Sequence, residues 1–121
     1  MEIYGEAWAE NFEKLAEAGI PGREGLFRLC ATSLASLPEQ AEVLVVGCGV
    51  GSELLYLTRR FPRWHFEAID PAEPMLAVCR RRLETEGLTA RVNLHCCALA
   101  EFTPTKVFDA ATAILVSQHL F

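Results

Sequence analysis

Residues 42–55 read "EVLVVGCGVGSELL", and this stretch narrows the folding options of the chain more than any other. Val43–Val46 is a continuous apolar run of β-formers, suited to a strand buried on both faces. Glycines then recur at every second position, Gly47, Gly49 and Gly51, and a helical pattern begins just past them over residues 52–60. Glycine adopts backbone angles that a β-carbon forbids and lets another group approach the main chain, so this is a tight strand-to-helix turn with room for a ligand.

The elements around the turn alternate. His65–Ile69 reads as a second strand stopped by Asp70 and Pro71, and Pro74–Glu86 as a helix with proline in its first turn and Gly87 as terminator. Residues 91–97 read as a third strand and 108–116 as a fourth. Ahead of them, apolar spacing predicts helices over residues 5–19 and 22–37, the second with Leu26, Phe27, Leu29, Cys30, Leu34 and Leu37 on its apolar face and Pro38 closing it. Strands alternating with helices require crossover connections. The expected fold is therefore α/β and Rossmann-like, a parallel sheet of about four strands with helices on both faces. The organisation is an N-terminal helical part over residues 1–40 and one compact strand-and-helix unit over residues 41–121.

In such a sheet ligands bind beyond the C-terminal strand ends, which puts the glycine turn at the mouth of a site. Asp70 closes the second strand 19 residues after Gly51, where its carboxylate faces the turn and can accept hydrogen bonds from two ribose hydroxyls. The bland readings are a plain tight turn for the glycines and a helix cap for Asp70; both features together favour a nucleoside-like ligand. The spacing is G-x-G-x-G. A dinucleotide fingerprint, G-x-G-x-x-G, meets Ser52 in place of its third glycine, and a phosphate-binding Walker loop would need a lysine that is absent.

Charge and cysteine content remove other classes. The 121 residues carry a formal net charge of −5, which argues against a surface built mainly for nucleic acid. The five cysteines are odd in number and lack C-x-x-C spacing, disfavouring a disulfide framework and a zinc site, so no metal is expected and the plain reading is a reduced, cytoplasmic protein. The N-terminus has neither the basic nor the apolar region of a signal peptide, and no stretch is apolar for the length of a membrane span.

The segments "VLVVGCGVGSELL" and "FEAIDPAEPMLAVCRRRL" resemble the first two motifs of the class I S-adenosylmethionine-dependent methyltransferases. "GIPGREGLFRL" and "FDAATAILVSQHL" are similar to that family's preceding helix and fourth strand. The resemblance implies S-adenosylmethionine as cofactor and methyl transfer as activity; a small molecule is the default acceptor, and a tRNA base, which similar sequences modify, is the alternative that the acidic charge does not favour. It implies that the main chain of Gly47, Cys48 and Gly49 packs on the methionine part, with Gly51 letting the helix start close by. Asp70 would bind the ribose, Pro71 and Met75 the adenine face, Ala98 and Leu99 its edge; Leu115 and Val116 would border the methionine side. Two positions depart from the pattern, Val45 and Ala98, where the family often has acids. Glu53 then becomes the candidate partner for the cofactor's ammonium group, against the alternative of a solvated helix-start carboxylate.

Methyl transfer asks mainly for positioning, so no catalytic residue is named. His65 and His95 are expected to be structural, while Gln118 and His119 lie on the ligand side. Tyr4 and Trp8 are expected to pack on the core rather than form a lid. The family sheet has further strands after the fourth. The fourth strand is therefore expected to be an uncovered apolar edge through which the chain pairs with a second copy. The runner-up reading is a non-catalytic binding or assembly module that keeps the nucleoside pocket.

Overall fold

A computed structural model describes residues 23–114. The helix expected over residues 5–19, with Tyr4 and Trp8, lies outside the described residues, as do Leu115, Val116, Gln118 and His119. The described elements are α1 (Arg23–Leu34), β1 (Glu42–Val46), α2 (Ser52–Arg60), β2 (His65–Ile69), α3 (Glu73–Thr85), β3 (Val92–His95) and β4 (Ala110–Thr112). All strand pairings are parallel, in the order β3-β2-β1-β4. The chain order thus reverses direction across the sheet at β1 and β4, the place where connections diverge and open a crevice.

Alternation along the strands sorts the core. Val43 and Val45 of β1, Phe66 and Ala68 of β2 and Val92 of β3 join Ala31 of α1, Leu54, Leu55 and Leu57 of α2, and Leu76, Cys79 and Leu83 of α3 in one buried cluster. Leu44, Val46 and Ile69 point the other way and meet Cys97, Phe102 and Phe108 from the β3–β4 connection. The expectation of helices on both faces is therefore met on one face by the described residues. The other is covered by that connection, whose only helical piece is the short 3₁₀ turn Leu99–Glu101.

Several boundaries differ from expectation: β4 ends at Thr112, with residues 113 and 114 outside the strand, and those at α1, β3 and the start of β4 have a local reason. α1 ends at Leu34, three residues early, where the Thr32 and Ser33 hydroxyls donate back to the carbonyls of Arg28 and Leu29 and compete with the helical ladder. Leu29, expected on its apolar face, is exposed. β3 is shorter at both ends. Arg91 sits in a 3₁₀ turn (Thr89–Arg91), and past His95 the Cys97 N–H turns back to the His95 carbonyl at 3.2 Å, which takes Cys96 and Cys97 out of the ladder. β4 begins at Ala110 rather than Phe108, because the segment before it is tied by a crossed pair, Asp109 N–H to the Glu42 carbonyl and Glu42 N–H to the Asp109 carboxylate, both 2.8 Å.

Arg91 also closes α2. Its guanidinium donates to the carbonyls of Thr58, Phe61 and Trp64 at 2.8–3.2 Å, satisfying groups that a helix C-terminus leaves unpaired. Phe61 stacks on Trp64 with ring centroids 3.7 Å apart, and the Trp64 indole N–H donates to the Pro38 carbonyl at 3.0 Å. The loops on either side of β1 and β2 are thereby joined at the end of the sheet opposite the glycine turn.

Candidate functional site

The glycine turn is held as a bent, mostly self-satisfied strap. Gly47, Gly49 and Gly51 all have positive φ (71°, 54° and 91°), conformations that side-chain-bearing residues adopt with strain. The N–H groups of Gly47 and Cys48 both donate to the Ile69 carbonyl at the end of β2 (2.8 and 3.1 Å), and Gly51 N–H donates to the Cys48 carbonyl at 2.9 Å. A β-carbon on Gly49 would stand 3.3 Å from Met75 Cε, and one on Gly51 only 2.6 Å from Cys79 Sγ. Gly51 therefore needs glycine both for backbone conformation and for the close approach of Cys79, whereas at Gly49 the positive φ is the main constraint, the Met75 methyl being the flexible end of its side chain.

Asp70 lies where the sequence placed it. One carboxylate oxygen accepts the Gly49 N–H at 2.9 Å and the other accepts the Ala72 N–H at 2.8 Å. It thus ties the glycine turn to the start of α3 across the C-terminal ends of β1 and β2. A carboxylate offers about four acceptor positions, so two remain for other donors. Met75 is buried with Val50 and Val78, directly under the turn, and Pro71 is exposed beside it. Leu99 is an exposed apolar side chain at the start of the 3₁₀ turn after β3. The Ala98 N–H is already taken by the Glu101 carboxylate at 2.9 Å, so the carboxylate absent from position 98 arrives three residues later and binds the chain itself.

Glu53 is not a solvated helix-start carboxylate. It is buried, and the Thr112 hydroxyl of β4 donates to its Oε2 at 2.6 Å. Burial pushes its carboxyl up to about 7, while the Thr112 hydrogen bond works in the opposite direction. Thr112 pairs in register with Val45. An acid missing from β1 is therefore supplied at the same level of the sheet by α2. Thr112 was not singled out from sequence; the one hydroxyl within the apolar run "AATAILV" was the available signal. Cys48 is buried too, and contact with the Cys79 thiol together with burial holds its own thiol well above the ordinary range.

His65 is exposed at the start of β2, and His95 serves a structural network: its Nε2 lies 2.8 Å from Glu67 Oε1, whose other oxygen accepts the Asn93 amide at 2.7 Å. Glu67 and His95 line a cavity of about 350 Å³ on the sheet face opposite the helices, together with Phe102, Lys106 and Phe108. Among the described residues no group of three or more His, Cys, Asp or Glu is placed to hold a metal ion, and no helix is long and apolar enough to cross a membrane. The five cysteines are all free thiols; Cys96, expected inside a buried strand, is exposed.

A parallel sheet of this order, with a glycine turn after its first strand and an acid closing its second, defines the Rossmann-like class of α/β domain used by methyltransferases. Residues 43–121 match the family model described as a methyltransferase domain. The chain belongs to that family. It is 36% identical over 91 residues to the demethylmenaquinone methyltransferase of Thermus thermophilus, covering 75% of this chain and 41% of that protein. It is 30% identical over 98 residues to the carboxy-S-adenosyl-L-methionine synthase of Glaesserella parasuis, covering 78% and 40%. In fold it is similar to an S-adenosylmethionine-dependent methyltransferase from Geobacter sulfurreducens solved with S-adenosyl-L-homocysteine (TM-score 0.61, 21% identity, 70% of this chain and 33% of that one). The chain spans about two fifths of the length of the curated relatives it matches.

Proposed function

We propose that this chain forms the S-adenosylmethionine-binding part of a methyltransferase acting on a small-molecule acceptor. The observation that carries the reading is Asp70, whose carboxylate is fixed against Gly49 and Ala72 with two acceptor positions to spare for a pair of ribose hydroxyls. Leu99 and Pro71 supply exposed surface for the adenine, above the buried Met75. Gly47, Cys48 and Gly49 bound the methionine part, with Glu53 beneath it as the anionic partner of the ammonium group. When bound, the cofactor supplies a methyl group on a sulfonium leaving group. The protein's own task is to hold and orient it and keep water away.

The free thiols fit a reducing compartment such as the cytoplasm. The acidic charge disfavours a nucleic-acid acceptor. A second copy pairing along β4, one of the two edge strands of the described sheet, fits the need to cover an edge.

Calorimetric titration with S-adenosylhomocysteine and with NAD tests the reading. Binding of the first, weakened about 100-fold by Asp70→Ala through loss of two charge-assisted bonds, is expected. Equal preference for NAD, or an Asp70→Ala variant that folds and binds normally, would refute it. A second reading, a binding module without turnover, is favoured by the apolar Val45 and by the Ala98 amide being already occupied. Methyl transfer to any acceptor would exclude it.

A further inference from the structure

Three side chains on one face of α3, Met75, Cys79 and Arg82, spaced i, i+4 and i+7, lie along the glycine turn. Met75 Cε lies 3.3 Å from where a β-carbon on Gly49 would stand, and Cys79 Sγ lies 2.6 Å from the corresponding point on Gly51. Arg82, about 10 Å of helix rise past Met75, closes the series: its Nη1 donates to the Val50 carbonyl at 2.9 Å and to the Ser52 hydroxyl at 3.2 Å. Val50 and Ser52 flank Gly51, the residue at which strand gives way to helix.

The contact is one that local structure does not supply. Gly51 precedes the first helical residue, so the Val50 carbonyl falls outside the α2 ladder. A guanidinium beside a helix N-terminus also works against the helix dipole, so the bonds it makes there must outweigh that repulsion. A turn with three positive-φ glycines loses more conformational entropy on ordering than any other, and it needs holding from outside if its shape is to exist before the ligand arrives.

We infer that Arg82 is a positioning residue for the cofactor turn, clamping Val50 and Ser52 so that the strap is preorganised to receive the cofactor. Asp70 holds the near end of the strap through Gly49 and Arg82 holds the far end. Only Asp70 faces the ligand. The inference rests on the cofactor-site reading given above, and Arg82 acts on binding through the turn and touches no reacting atom.

The test uses the 121-residue chain and three variants: Arg82→Met, which keeps most of the packed stem and removes the donors; Arg82→Lys, which restores one; and Ser52→Ala, which removes one acceptor. Two quantities are read. One is the affinity for S-adenosylhomocysteine by calorimetry. The other is amide hydrogen exchange of the unliganded chain at Gly51 and Leu55, whose N–H groups are bonded within the turn, against the β1 amides as reference. Arg82→Met should weaken binding about tenfold and speed exchange at the turn about tenfold with the β1 amides unchanged. Arg82→Lys should recover part of both, and Ser52→Ala should show a smaller effect in the same direction. Affinity and turn exchange within twofold of wild type in Arg82→Met overturn the inference, and so does exchange that quickens equally in turn and strand, which is what general loss of stability would produce. A wild-type chain that binds no S-adenosylhomocysteine removes the functional reading, while the exchange comparison still decides whether Arg82 holds the turn.

Discussion

Replacing Glu53 by glutamine should change how the protein's stability depends on pH. The glutamine keeps the size of the side chain and an acceptor for the Thr112 hydroxyl, but it cannot ionise. Burial raises the Glu53 carboxyl from its ordinary value of 4.5 to about 7. A raised carboxyl favours the protonated form in the folded state. Its stabilising contribution is therefore complete below the unfolded value, near pH 4.5, and is lost as pH climbs through 7. Each pH unit between the two values is worth about 1.4 kcal/mol, so the full loss is about 3 kcal/mol. Urea unfolding of both proteins at several pH values between 4.5 and 8 measures it. The wild type should lose about 3 kcal/mol relative to Glu53→Gln across that interval, because every other titrating group cancels in the comparison. A difference between the two proteins that stays constant with pH would refute the reasoning. The same group reports on the ligand. If Glu53 meets the cofactor's ammonium group, binding at pH 7 should release about half a proton, detectable as a dependence of the calorimetric heat on buffer ionisation enthalpy.

Gly51→Ala combines a φ of 91° with a β-carbon 2.6 Å from Cys79 Sγ, so it should lower stability by about 2–4 kcal/mol, and Cys79→Ala in the same chain should restore the steric part of that loss. Additive unfolding energies for the two substitutions would show that the clash is not the cause. Arg91→Met removes the guanidinium donor from the Thr58, Phe61 and Trp64 carbonyls, of which Phe61 keeps the Trp64 N–H, and should cost about 2–3 kcal/mol in thermal or urea unfolding; a loss under 0.5 kcal/mol would mean that water replaces the guanidinium. If a second copy pairs along β4, an edge strand of the described sheet, the chain should self-associate as concentration rises in sedimentation equilibrium, and a monomer throughout the accessible range would exclude that pairing.

What could be read from the residues alone was whatever depends on near neighbours in the chain. α2 and β2 fell on their expected residues because apolar periodicity and punctuation by Gly51, Asp70 and Pro71 act within a few positions. Asp70 was legible for the same reason: strand, acid and turn stand in fixed order, and a parallel pairing of β1 with β2 can only bring that acid to Gly49. The ends of α1 and β3 were misjudged where side chains compete for backbone groups, as Thr32 and Ser33 do. They were also misjudged where a residue serves a distant carbonyl, as Arg91 does.

By itself, then, the sequence determined the order of strands and helices, the place of the glycine turn and the acid that meets it. Each is encoded in local propensity and in spacings shorter than one βα unit. Only the tertiary structure decided the environment of Glu53, which becomes a buried, half-neutral acid because Thr112, 59 residues away, comes to lie beside it. It alone likewise showed that a β-carbon on Gly51 would meet Cys79 of α3, and that Arg82 reaches back 32 residues to the Val50 carbonyl. Burial, with the shift in proton affinity that follows from it, belongs to the packed surroundings of a group and is encoded by no short stretch of chain.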